Sequence, residues 1–404
     1  MLLSSFDTGI EMKPIVLMAL LFGLVVSVVG CASKPPVALN QSEQYYNYIQ
    51  PTFDDYLSVT KDWLVEHRGY ISDDHDKEIA MNMPFELKPE HKSNKAILLV
   101  HGLGDSPYSF SDIGKTLQAQ GFYVQSVLLP GHGSKPSDLM LPTYNDWQTM
   151  VDHYAALLKQ DYDEVWLGGF STGGNLVTIN AIEQGNVDGL LLFSPGFQSK
   201  APILEKFAPF ASLFVDGYTT KEDNLARYSS APLNGAIAYS ESATKLRSLL
   251  KENTVKVPTL IVLSEADSVV DPEAVKTLYE ERFVNSANQL LWYGESDIAL
   301  PSATSLTMRL DSMRISTGSH MSPLFAPENT YYGQHGEHRM CMNSMDEKAT
   351  AYCKNGGEVW WSAWGHEEEG KVYARLTWNP YYQQLIQSLA EVTGNQTQST
   401  AAIH

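Results

Sequence analysis

The sequence predicts an α/β fold, a mostly parallel sheet with helices on both faces and an inserted cap. Three observations carry this. Short apolar runs, AILLV (96–100), FYVQSVLL (122–129), EVWLGGF (164–170), GLLLFS (189–194) and TLIVLS (259–264), alternate with helical stretches. Continuous apolar strands separated by helices are buried on both sides, as in a covered parallel sheet. The alternation lapses over residues 197–256, where an insertion fits. Finally, 43% of the 404 residues are hydrophobic and 19% charged, enough to bury a large core and unlike a disordered or collagen-like chain.

At the N-terminal end, residues 15–30 read IVLMALLFGLVVSVVG, after Lys13 and directly before Cys31. The run is short for a spanning helix and suits a signal-peptide core. Val28-Val29-Gly30-Cys31 resembles the lipobox of bacterial lipoproteins, in which the freed Cys becomes the acylated N-terminus. That resemblance implies a leader over 1–30, lipidation at Cys31 and a tether over 31–42. The mature protein would sit on a cell-envelope membrane through this lipid anchor, on the outer membrane where the organism has one, facing the periplasm or the surface. Asp7 and Glu11 precede Lys13, so Met12 is an alternative start.

A globular part is expected over 43–395. Tyr45–Arg68 has loosely helical spacing, and Ile79, Met81, Met83, Phe85 and Leu87 alternate like a half-buried strand. Within the cap, Ile203, Phe207, Phe210 and Phe214 step by four, three and four. This is one apolar helical face, which either lines an acyl pocket or packs the cap onto the core. The last sheet strand is either Gln289–Tyr293 or Ser312–Ile315.

An extension over about 326–395 comes last. With Cys31 set aside, Cys341 and Cys353 remain as an even pair in an exported chain and read as a disulfide. Closing that loop contributes on the order of 3 kcal/mol. Trp360, Trp361, Trp364 and Trp378 read as packing around it, with a glycan-binding aromatic surface as the alternative. His335 and His338 form an isolated His-x-x-His that reads as surface, and no zinc spacing is present.

In a parallel sheet, ligands bind at the carboxyl ends of the strands, so the residues just after each apolar run matter most. After EVWLGG comes Gly169-Phe170-Ser171-Thr172-Gly173, a G-x-S-x-G between a strand and a helix start, the order a nucleophile elbow needs. A serine needs a base to take its proton, and that base a carboxylate to orient it. TLIVLS leads to Asp267, the expected acid. Asp271, before Pro272, fits a helix cap, and Glu265 is the third choice. His320, in STGSHM (316–321), is the expected base. Backbone N–H groups of Leu103, in VHGLG, and Thr172 are the expected oxyanion donors. His101 and His132 read as structural turn residues. No cofactor or metal is required.

The pieces VHGLGDSP (100–107), LPGHG (129–133), GGFSTGG (168–174), SEADSVVD (264–271) and SHMSPLF (319–325) resemble an α/β-hydrolase of the monoacylglycerol lipase and carboxylesterase type. This group is also labelled serine aminopeptidase-like. The resemblance covers residues 96–324. It implies a Ser-His-Asp hydrolase acting on small-molecule or lipid-like, medium-chain carboxylic esters through an acyl-enzyme. Alternatives are an exopeptidase or amidase on the same triad, and a catalytically silent envelope binding module. A net charge of −19 argues against nucleic acid as a partner. Oligomeric state is not readable.

Overall fold

The computed structural model describes residues 41–43, 45–202, 212 and 216–394. The chain divides into two units, Met1–Asn40 and Gln41–His404, and all described residues belong to the second. The apolar leader, Cys31 and the stripe Ile203, Phe207, Phe210 and Phe214 lie outside the described residues.

In chain order these residues form α1 (Phe53–His67), α2 (His75–Asn82), β1 (Phe85–Leu87), β2 (Lys95–Val100), α3 (Ser111–Ala119), β3 (Tyr123–Val127) and α4 (Tyr144–Asp161). Next come β4 (Glu164–Phe170), α5 (Thr172–Glu183), β5 (Gly189–Phe193), β6 (Gly217–Tyr218), β7 (Ala231–Pro232), α6 (Leu233–Glu252) and β8 (Thr259–Ser264). The remainder are α7 (Pro272–Arg282), β9 (Gln289–Tyr293), β10 (Ala303–Leu306), α8 (Glu347–Lys354), β11 (Trp360–Ser362), β12 (Tyr373–Arg375) and α9 (Tyr382–Val392). The main sheet has the order β1-β3-β2-β4-β5-β8-β9-β10. Each neighbouring pair is parallel except β1 with β3.

Strand alternation divides the core. On one face Leu98, Leu167, Leu192 and Ile261 pack with Trp147 and Tyr154 of α4, Leu176 of α5 and Leu246 of α6. On the other, Leu99, Trp166, Leu191 and Val262 meet Leu117 of α3, Leu385 and Leu389 of α9, and Trp361 and Trp378. The C-terminal extension is therefore a wall of the second core. Its disulfide joins Cys341 to Cys353, both buried there.

The expected sheet strands are present, with ends shifted by a residue or two. Elsewhere the structure departs from the sequence reading. The Tyr45–Arg68 helix begins only at Phe53, because Thr52 accepts from Asp55 N as its cap; Tyr45 and Tyr46 instead pack their rings on Trp63. The Ile79–Leu87 alternation is half helix. Asp74 caps α2 by accepting from Lys77 N, and Pro84 ends it. Ile79 and Met81 are buried in different clusters, so their two-residue spacing marks a helix packed on two sides.

Between β5 and β8, α6 is a layer helix rather than cap. Its Ser242 Oγ accepts from Asn175 Nδ2 at 3.0 Å, and Ala238, Leu246 and Leu250 enter the core. Of the two candidates for the last strand, Gln289–Tyr293 lies in the sheet, while Asp311–Met313 forms a 3₁₀ turn; β10 supplies the edge. His335 is exposed, but His338 is half-buried and stacked on Tyr331 at 5.1 Å.

Candidate functional site

Ser171 sits between β4 and α5 with φ 52° and ψ −116°, a backbone state that L-residues adopt only under constraint. The constraint is crowding. A Cβ on Gly173 would fall 1.9 Å from Val100 O, and one on Gly169 would fall 2.4 Å from Gly173 C. Only bare glycines let β2, β4 and α5 approach this closely. The turn is pinned by Ser171 N donating to Phe193 O at 3.1 Å and Gly196 N donating to Ser171 O at 2.8 Å. Ser171 is 8% exposed, sheltered yet reachable.

Just past β8, Asp267 is almost wholly buried. Its Oδ1 accepts from Val269 N and Val270 N at 2.8 and 3.0 Å, which aims Oδ2 at His320. His320 Nδ1 donates to that oxygen at 2.6 Å. Nδ1 thus carries the proton, leaving Nε2 as the basic nitrogen. The imidazole lies 4.9 Å, centroid to centroid, from the ring of Phe170, the residue before Ser171. The extension fixes the histidine loop, because Ser319 Oγ donates to Leu376 O.

The competing acids are occupied elsewhere. Asp271 accepts from Ala274 N at 3.3 Å as the cap of α7. Glu265 accepts from Glu295 N and Ser296 N at 2.6 and 3.0 Å, holding the loop after β9.

Thr172 opens α5, where N–H groups lack intrahelical acceptors. Among the described residues, neither Thr172 N nor Leu103 N donates to a protein acceptor. The loop carrying Leu103 is braced by two buried histidines. His101 Nε2 accepts from Leu129 N and His132 Nε2 accepts from Gly104 N, each at 3.0 Å. Burial pushes the His101 imidazole well below its ordinary value and that of His132 down to about 4, so both are neutral acceptors at pH 7.

Two groups beside the site escape the sequence reading. Asp105, inside VHGLGDSP, is buried beside the elbow: a Cβ on Gly102 would lie 3.0 Å from both Asp105 Oδ2 and Ser171 Cβ. Arg227 Nη1 donates to Asp105 Oδ1 at 3.1 Å. Burial raises the Asp105 carboxyl, while Arg227 and His320 oppose the shift. Asp105 is visible in the motif, but Arg227, lying 122 positions away, gives no local signal.

The model of the serine aminopeptidase, S33 family matches residues 91–295. The chain belongs to that family. The match takes in Ser171 and Asp267 and ends before His320. Among curated proteins, a carboxylesterase of Bacillus subtilis (strain 168) is 23% identical over 53% of this chain and 87% of its own. A thermostable monoacylglycerol lipase of Bacillus sp. (strain H-257) is 24% identical over 46% of this chain and 75% of its own. Solved family-like structures include one of the metagenome-derived lipolytic enzymes LipS and LipT, 22% identical over 52% of this chain and 86% of that one, TM-score 0.47. The monoacylglycerol lipase of Paleococcus ferrophilus is 20% identical over 52% and 87%, TM-score 0.43. As in this family, the fold is an α/β-hydrolase with a mostly parallel sheet.

Proposed function

We propose that the protein hydrolyses carboxylic esters through an acyl-enzyme on Ser171. The observation that carries this is the buried Asp267–His320 pair, its imidazole against the ring of Phe170, together with the elbow serine that follows Phe170 in a strained backbone state. Ser171 Oγ attacks the carbonyl carbon while His320 Nε2 takes its proton, and Asp267 keeps the ring in the correct tautomer. Leu103 and Thr172 N–H groups hold the oxyanion. Collapse expels the alkoxide, which takes the proton from His320. Water then attacks the acyl-serine by the same route, releasing the acid and restoring Ser171.

The relatives named carboxylesterase and monoacylglycerol lipase favour esters. The family description names an aminopeptidase, which needs a free carboxylate for the substrate ammonium. The buried acid beside Ser171 is instead neutralised by Arg227, which speaks against that use. We further propose that Cys31 carries a lipid and holds the hydrolase on an envelope membrane. A Cys341–Cys353 bridge fits an oxidising compartment. Intact mass of the isolated protein tests this: acylation at Cys31 is expected, and a chain retaining the leader refutes it.

Activity is tested by fluorophosphonate labelling and a panel of 4-nitrophenyl esters and peptide anilides. Labelling at Ser171 and ester turnover are expected, both lost in Ser171→Ala apart from a small residual rate. Anilide turnover without ester turnover would establish the peptidase reading, and absent labelling the binding module.

A further inference from the structure

A cavity of about 300 Å³ lies between the segment after β6 and the disulfide-bearing extension. Its lining holds Lys221, Arg227, Arg339, Lys354 and Arg375 against a single acid, Asp223, in a chain where acids outnumber Lys and Arg 47 to 28. Asp223 is already paired with Lys354 at 2.6 Å. Among the described residues Arg339 and Arg375 have no acidic partner. Arg339 Nη1 donates to Gly357 O at 3.0 Å, and its guanidinium lies over the Trp361 ring.

Arg375 is the most telling member. Its Nε is buried with no acceptor, and its one side-chain bond is a long 3.4 Å contact from Nη2 to Met342 O. Burial and the nearby charge of Arg227 push its guanidinium down to about 10. The guanidinium is part-buried, with its Nε shut off from solvent. Leaving that N–H unpaired is costly, whereas an anion held in bidentate fashion offsets the cost. The cavity and the catalytic centre share Arg227, whose Nη1 also touches Asp105 beside Ser171 and Met321 Sδ next to His320, the latter at 3.7 Å. The next residue, Tyr228, lines the cavity and donates its N–H to Gly104 O at 2.7 Å in the oxyanion loop.

We propose that this cavity binds an anionic group, a carboxylate or phosphate monoester, carried by the ester substrate whose carbonyl Ser171 attacks. The inference rests on the ester-hydrolase reading and deepens it. The ester sits at Ser171 and the charge at Arg375 and Arg339, so the two ends of one molecule are read by two parts of the fold.

The test compares matched pairs: 4-nitrophenyl hemisuccinate with the butyrate, and a 1-acylglycerol 3-phosphate with its 1-acylglycerol. At least one charged member is expected to show kcat/KM ten-fold or more above its neutral partner. That ratio should fall at least ten-fold in Arg375→Gln and drop in 0.5 M salt. Arg339→Gln should lower the same ratio if Arg375→Gln does not fold. Calorimetric titration of inorganic phosphate into Ser171→Ala reads the cavity without hydrolysis, and binding lost in the double variant with Arg375→Gln is expected. Neutral preference in both pairs with full turnover would overturn the inference and leave the hydrolase intact. Phosphate bound at the cavity without competing against the charged ester would overturn the substrate assignment. Absent turnover of all four esters would instead overturn the hydrolase reading, and absent phosphate binding in that case would overturn the cavity as well.

Discussion

The nucleophile elbow and the cation-lined cavity are assembled in opposite ways. The elbow at Ser171 is built within a few positions: a strand end, two glycines that cannot bear a Cβ, and the first turn of α5. The cavity draws on the segment after β6, the loop before α8, the end of α8 and β12, which meet only through tertiary packing. The segment after β6 is held by long-range polar contacts. Leu225 N donates to Tyr331 OH at 2.8 Å, and Leu225 O accepts from Arg68 and Asn82 at 2.9 and 2.7 Å. Arg68 itself pairs with buried Glu78 at 2.8 Å. The elbow is thus encoded in a short stretch of chain, whereas the cavity is assembled from segments spread over residues 220–375.

Perturbations should separate the two regions. The largest effect is expected for Asp267→Asn, a fall in kcat of about 10⁴ because His320 loses its orienting acceptor, with phosphate binding at the cavity unchanged. Steady-state kinetics and titration read both, and equal loss of both would mean that the regions are not separable.

Cys341→Ser with Cys353→Ser should do the reverse. Stability falls on the order of 3 kcal/mol, and the charged-over-neutral preference weakens more than turnover of neutral esters. Denaturant melts and the paired esters measure it.

Acidification addresses the loop between the regions. The folded values of His101 and His132 are depressed below an unfolded value near 6.5, so their contribution is complete above that pH. It is lost as pH falls toward about 4, where the imidazole of His132 takes its proton and Gly104 N loses its acceptor. Thermal melts should show Tm dropping between pH 6.5 and 4, and His132→Gln should flatten that slope.

The smallest effect is expected for Asp271→Ala, a lost cap costing about 1 kcal/mol with kcat retained. A large loss of kcat there, with Asp267→Asn active, would reverse the two acids.

Legibility in the sequence divides along the same line. The five apolar runs are legible as strands because they are short and nearly continuous, with Gln125 and Ser126 the one polar interruption. Asp267 and Asp271 are separable because one follows a strand and the other precedes Pro272. Pattern fails where two signals overlap: the Ile79–Leu87 alternation conceals the capping Asp74 and the break at Pro84. It is silent on Arg227 and Arg375, whose surroundings are created by residues more than a hundred positions away, Asp105 for the first and the segment after β6 for the second.

The way α9 and the extension complete the second face of the sheet bears on how the protein can be divided. A fragment cut at 91–295, the span of the family match, would lose His320 and the partners of Leu191, Phe193, Leu260 and Val262. Those side chains would face water as one broad apolar surface, a site of self-association. Insolubility of such a fragment, with solubility of one that runs through Val392, would report that missing wall.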